Sequence, residues 1–179
     1  MIVCSLPRCG ATKFCLDLQE TTNLQFVGEL NPYFITELNT TNVKATTHET
    51  AFQLNYSADK FASLLYDHSS HIVLINESSH LVVNQADYVI LRHQMKDAFL
   101  STADYLLRMF PNIKANEVIH MLDRFYRDYI GLQSYLNKYD KDVVWYEDYF
   151  GIEGTSTPLL NQHLHSKKIV GAIEDMFNA

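Results

Sequence analysis

Five short runs constrain this chain more than any other feature. They are Ile2 to Leu6 (IVCSL), Leu24 to Glu29 (LQFVGE), His71 to Asn76 (HIVLIN), Tyr88 to Arg92 (YVILR) and Asp142 to Tyr146 (DVVWY). Most are rich in Val, Ile and Leu without strict alternation, the pattern of strands buried on both faces. Helical patterns fall between them. Ala11 to Glu20 is one. Asn31-Pro32 reads as an N-cap with proline at N1, opening a short helix to Leu38. Ser57 reads as the cap of a helix to about Asp67. Lys96 to Phe110 puts Phe99, Ala103, Leu106 and Phe110 on one face before Pro111. Lys114 to Tyr139 repeats Val118, Leu122, Phe125, Tyr129, Leu132 and Leu136 at helical spacing, and Ser166 to Phe177 forms the last helix. Strands alternating with helices predict an α/β fold: a single domain over 1–179, three layers α/β/α, with a mostly parallel central sheet of about five strands. The polar segment from Asn39 to Tyr56 resists assignment.

Composition narrows the function. Lys and Arg number 14 against 21 Asp and Glu, a formal charge of −7. That disfavours nucleic acid or an anionic membrane as a partner, so an anionic ligand would need a few local cations and main-chain N–H groups. No run approaches membrane-spanning length. The start lacks a basic segment followed by a long apolar one, so a cytoplasmic location is expected. Cys4, Cys9 and Cys15 are an odd set without a CxxC pair, a poor disulfide or zinc framework. His163 and His165, like His68, His71 and His80, lack a recognisable zinc spacing, and no metal is expected.

In an open parallel sheet, ligands bind beyond the carboxyl ends of the strands. The first strand ends in Pro7-Arg8-Cys9-Gly10-Ala11-Thr12-Lys13, the second in Gly28-Glu29, the fourth in Arg92-His93 and the fifth in Tyr146-Glu147-Asp148. A strand, a turn with Gly10 and a helix beginning near Thr12 make an anion site, with free N–H groups and the helix dipole aimed at the ligand. The Walker A pattern is absent, because Gly10 is not followed by Lys-Ser/Thr.

These segments resemble the sulfotransferase family, in its bacterial and tyrosylprotein-type branch. LPRCGATKFCLDL is similar to the PRSGTTxL phosphosulfate loop, FVGELNPYF to the GE segment, YVILRHQMKDAFLS to LRxPxDxxxS and VVWYEDYF to YEDL; NQHLHSKKIVGAIEDM resembles the family's Lys/Ser-containing end more weakly. The order is right and the match spans nearly the whole chain. The resemblance implies a phosphosulfate-binding P-loop and transfer of a sulfuryl group from PAPS (3′-phosphoadenosine-5′-phosphosulfate) to a small-molecule, carbohydrate or peptide acceptor through a hydroxyl or amine, leaving PAP. It implies that Arg8, Cys9, Gly10, Ala11, Thr12 and Lys13 surround the phosphosulfate, that Arg92 and Ser101 hold the 3′-phosphate, and that Glu29 is the general base. The chain departs from the pattern at Cys9 (Ser in the family), at Ala11 (Thr), and in the nine positions from Arg92 to Ser101, one more than in the cytosolic enzymes.

Each residue also has a plainer reading. Glu29 suits a helix-capping acid beside Asn31-Pro32, and Arg92 a surface ion pair. Tyr146, Glu147 and Asp148 read as a structural strand end. Cys9 beside a cation and a helix N-terminus is placed for a lowered thiol pKa, but an inert stand-in for serine is the preferred reading. Two other classes stay open: a non-catalytic nucleotide- or anion-binding protein on a degenerate sulfotransferase scaffold, and a kinase-like phosphoryl transferase, which the missing Walker A lysine opposes.

Overall fold

The computed structural model describes residues 1–30, 42–46, 53–57, 71–75, 80–151 and 166–178, with 27–30, 42–46, 53–57 and 80–82 described by their backbone alone. The strands are β1 (Ile2–Ser5), β2 (Gln25–Leu30), β3 (Asn42–Thr46), β4 (Gln53–Ser57), β5 (His71–Ile75), β6 (Tyr88–Leu91) and β7 (Val143–Trp145). The helices are α1 (Ala11–Thr21), α2 (His80–Gln85), α3 (Met95–Met109), α4 (Ala115–Tyr139), α5 (Tyr146–Phe150) and α6 (Ser166–Asn178).

All strands join one sheet in the order β4-β3-β2-β5-β1-β6-β7. The five expected strands form its parallel part, from β2 to β7. The chain is therefore an α/β protein built on a five-stranded parallel sheet. The unassigned segment adds β3 and β4, an antiparallel pair on the β2 edge. Ser57 is the last residue of β4, paired with Asn42, and the helix it was expected to cap, to about Asp67, lies outside the described residues. The expected helix after Asn31-Pro32 lies outside the described residues.

Side-chain alternation explains why the central strands look uniformly apolar. Ile2 and Cys4 of β1, Val73 and Ile75 of β5, and Val89 and Leu91 of β6 enter one core cluster with α3, α4 and α6. Val3, Ile72, Leu74 and Ile90 enter a second cluster with Ala11, Phe14 and Cys15 of α1. Both faces of the strands are thus covered, and neither face offers a polar half to reveal the period of two. On α4, Val118, Leu122, Phe125 and Leu132 are buried as their spacing predicts, whereas Phe110 caps α3 and stays 44% exposed. Leu122 is fully buried. Leu122→Ala should lower stability by about 2–5 kcal/mol through lost transfer energy and a residual cavity, read as a lower urea midpoint with an unchanged slope.

β2 carries an irregularity. From Phe26 to Glu29 it advances three residues while β5 advances two, from Ile72 to Leu74. One residue is therefore extra, the signature of a β-bulge, and Gly28 stands inside it.

Candidate functional site

Because β2, β5, β1, β6 and β7 run parallel, their carboxyl ends share one edge of the sheet. From β1 the chain passes through α1 to β2 on one side; from β6 it passes through α3 and α4 to β7 on the other. The helices leave on opposite faces. A crevice between the carboxyl ends of β1 and β6 follows from that reversal, the place where open α/β sheets take ligands.

The first loop fills one side of this crevice. The hydroxyl of Ser5, at the end of β1, donates between the carbonyls of Leu6 and Ile90, each at 2.9 Å, and ties the loop to β6. The backbone then makes a tight turn with Arg8 at φ 65° and Gly10 at φ 77°. Left-handed backbone at a non-glycine residue is unusual and marks a tightly determined turn. Arg8 Nε donates to Ser101 Oγ of α3 at 3.0 Å, and its guanidinium lies 5.6 Å from the Tyr105 ring centre. Gly10 precedes α1 and caps it without a side-chain hydrogen bond, and a helix N-terminus carries main-chain N–H groups and a dipole end suited to an anion. A Cβ at Gly10 would overlap the ring of Tyr146. Gly10→Ala should therefore cost roughly 2–4 kcal/mol, from left-handed strain plus overpacking, and this is measurable as a drop in denaturation midpoint.

Cys9 and Ala11 are buried, Cys9 in the cluster with α3, α4 and α6 and Ala11 in the cluster with α1. Cys9 is 1% exposed, with Sγ 3.8 Å from the Pro7 carbonyl oxygen and 4.0 Å from Met95 Sδ. Burial pushes the Cys9 thiol up from its ordinary 9.0 to about 12, against the opposing pull of the nearby Arg92 charge. The folded state thus holds this proton more tightly than the unfolded chain. The resulting stability is complete below about pH 9 and is lost as pH rises from there towards 12. Cys4 and Cys15 are also buried. Iodoacetamide near pH 8 should therefore label no cysteine of the native protein faster than the chain opens, whereas the denatured chain should label fully. One thiol reacting at once would show the first loop to be open.

Arg92 follows β6 and is only 3% exposed. Its guanidinium carbon sits 4.3 Å from the centre of the Tyr146 ring, a close cation–π contact. Tyr146 was expected to end the fifth strand; that strand stops at Trp145, and Tyr146 opens α5 instead. The ring therefore lies between the Gly10 turn and Arg92 and links the two halves of the crevice. Beyond Arg92, the main-chain N–H of His93 donates to Glu147 Oε2 at 2.9 Å, and His93 Nε2 lies 3.0 Å from Asp148 Oδ2. The imidazole stacks on Trp145 with centroids 4.4 Å apart and planes 14° apart.

The remaining expected residues fall as follows. Thr12 is the second residue of α1. Lys13 is exposed and pairs with Asp17 one turn further along α1, away from the crevice. That hydrogen bond is the main cause of its raised pKa. Glu29 lies on β2 level with Leu74 of β5, so its backbone belongs to the carboxyl half of the sheet. Lys167 and Lys168 are exposed at the start of α6, and His163 and His165 lie outside the described residues. The structure thus brings Arg8, Gly10, Arg92 and Ser101 together around one crevice. It adds Trp145, and it gives partners to His93, Tyr146 and Asp148, which the sequence placed at strand ends on this edge with Tyr146 and Asp148 read as structural. Among the described residues, no three His, Cys, Asp or Glu side chains gather as a metal site, and no helix is long and apolar enough to cross a membrane. No protein-family model, no curated protein and no solved structure matches this chain.

Proposed function

We propose that this chain is a PAPS-dependent sulfotransferase working in the cytoplasm, and that its first loop is the phosphosulfate-binding P-loop of a three-layer, single-domain fold. One observation carries the reading. Arg8 and Ser101, which the family resemblance assigns to the phosphosulfate and to the 3′-phosphate, are hydrogen-bonded at 3.0 Å although 93 positions apart in sequence. The buried Arg92 stands at the same crevice. The donor set suits PAPS, a ligand with two separate anionic groups: N–H groups and Arg8 on the β1 side, a guanidinium and a hydroxyl on the β6 side.

In this reading the acceptor oxygen attacks sulfur in line, and the bond from sulfur to the bridging phosphate oxygen breaks with its electron pair leaving on PAP. Glu29 takes the acceptor's proton as the new bond forms. Arg8 and the first-turn N–H groups of α1 offset the charge that develops on the leaving phosphate, and Arg92 with Ser101 fixes the nucleotide so that attack is aligned. Positioning and fixed dipoles supply most of the acceleration.

Thermal shift with PAP, PAPS and ATP tests the reading. A ligand that binds only the folded chain raises its melting point, and PAP and PAPS should raise it more than ATP does. A larger shift with ATP would favour a phosphoryl transferase. Tight PAP binding with no sulfation across sugars, phenols, lipids and peptides would favour the non-catalytic scaffold.

A further inference from the structure

The imidazole of His93 is held on two sides and its backbone by a third contact. Asp148 of α5 engages Nε2, Glu147 of the same helix engages the main-chain N–H, and the uncharged ring of Trp145 from β7 lies flat against one face. The side chain is nevertheless 46% exposed. Its neighbour in the chain is the buried Arg92, and α3, which begins two residues later, turns its first cation, Lys96, to Glu174. A carboxylate on Nε2 fixes that nitrogen as a donor. In the neutral ring Nδ1 is then a lone pair, which repels a phosphate; in the imidazolium both nitrogens donate. The ring can therefore serve a phosphate beside Arg92 only after gaining a proton.

From this arrangement we infer that His93 is a proton-linked binding residue for the nucleotide's 3′-phosphate, with Asp148 as the group that orients it. The inference rests on the reading of the crevice as a nucleotide site. It places His93 on the nucleotide side, because β6 is three strand spacings from β2, about 14 Å from Glu29's strand. The bound phosphate receives the Nδ1 hydrogen bond, Asp148 keeps Nε2, and one proton is taken up from solvent on binding.

Calorimetry of PAP binding in buffers of different ionisation enthalpy tests this on the intact chain. The affinity of the parent should rise about tenfold between about pH 8 and about pH 6, the worth of one charge-assisted hydrogen bond, so proton uptake should average about one half over that range. Protonation of the phosphate itself has the opposite sign, because binding its dianion releases a proton. His93→Gln keeps a neutral donor near Asp148 and should abolish the uptake. Asp148→Asn should reduce it while leaving PAP bound. 5′-AMP, lacking the 3′-phosphate, should bind without uptake in every variant. Equal proton uptake by the parent and His93→Gln would overturn the role of His93 and leave the nucleotide site standing. Failure of PAP to bind at any pH would remove the nucleotide reading, and this inference with it.

Discussion

Arg92→Met should abolish most of the preference for PAP over 5′-AMP while leaving the protein folded. The parent should bind PAP more tightly because a guanidinium can grip a phosphate through two parallel charge-assisted hydrogen bonds. At about 1.5 kcal/mol each, losing both removes roughly 3 kcal/mol, or about a hundredfold of discrimination. Methionine is chosen because Arg92 is 3% exposed and lies on Tyr146. A thioether of similar length fills that space and is spared the desolvation cost of a buried guanidinium. Competition calorimetry with the two nucleotides reads the ratio directly. If the parent already binds both equally, Arg92 does not read the 3′-phosphate.

The second large effect concerns transfer itself. Glu29→Gln keeps the side chain's shape and removes its ability to accept a proton. Sulfuryl transfer from radiolabelled PAPS into a responsive acceptor should fall by roughly 10²- to 10⁴-fold, the range for a lost general base. PAP affinity should hardly change, since β2 is separated from β6 by β5 and β1. A variant as active as the parent would remove the base role from Glu29.

The parallel sheet was legible because its strands carry a strong signal: doubly buried, Val- and Ile-rich runs with helical periodicity between them. The long helix α4 was equally plain, since its apolar stripe repeats over 25 residues. The β3–β4 pair was not. Its strands, NVKAT and QLNYS, are short and polar, form an antiparallel pair on one side of the sheet, and carry no apolar run or clean alternation to announce them. Of the crevice, the order of polar residues at strand ends was readable, because parallel topology alone gathers them. The partners were not. That Tyr146 packs on both Gly10 and Arg92 depends on where β7 stops, and a boundary shift of one residue turned an expected strand end into the first turn of a helix. The burial of Cys9 was hidden too, since a residue beside Arg8 and a helix N-terminus looks exposed in sequence.

Trp145 is the chain's single tryptophan, and it lies flat on His93. The protein therefore carries its own optical gauge at the crevice. An indole in face contact with a cationic ring emits less than one against a neutral ring, so the intrinsic emission of the unlabelled chain should report the charge on His93. Any ligand that draws the imidazole off the indole, or stabilises its protonated form, would write itself into that one fluorophore. A stopped-flow trace could then time the arrival of nucleotide without a dye or an acceptor.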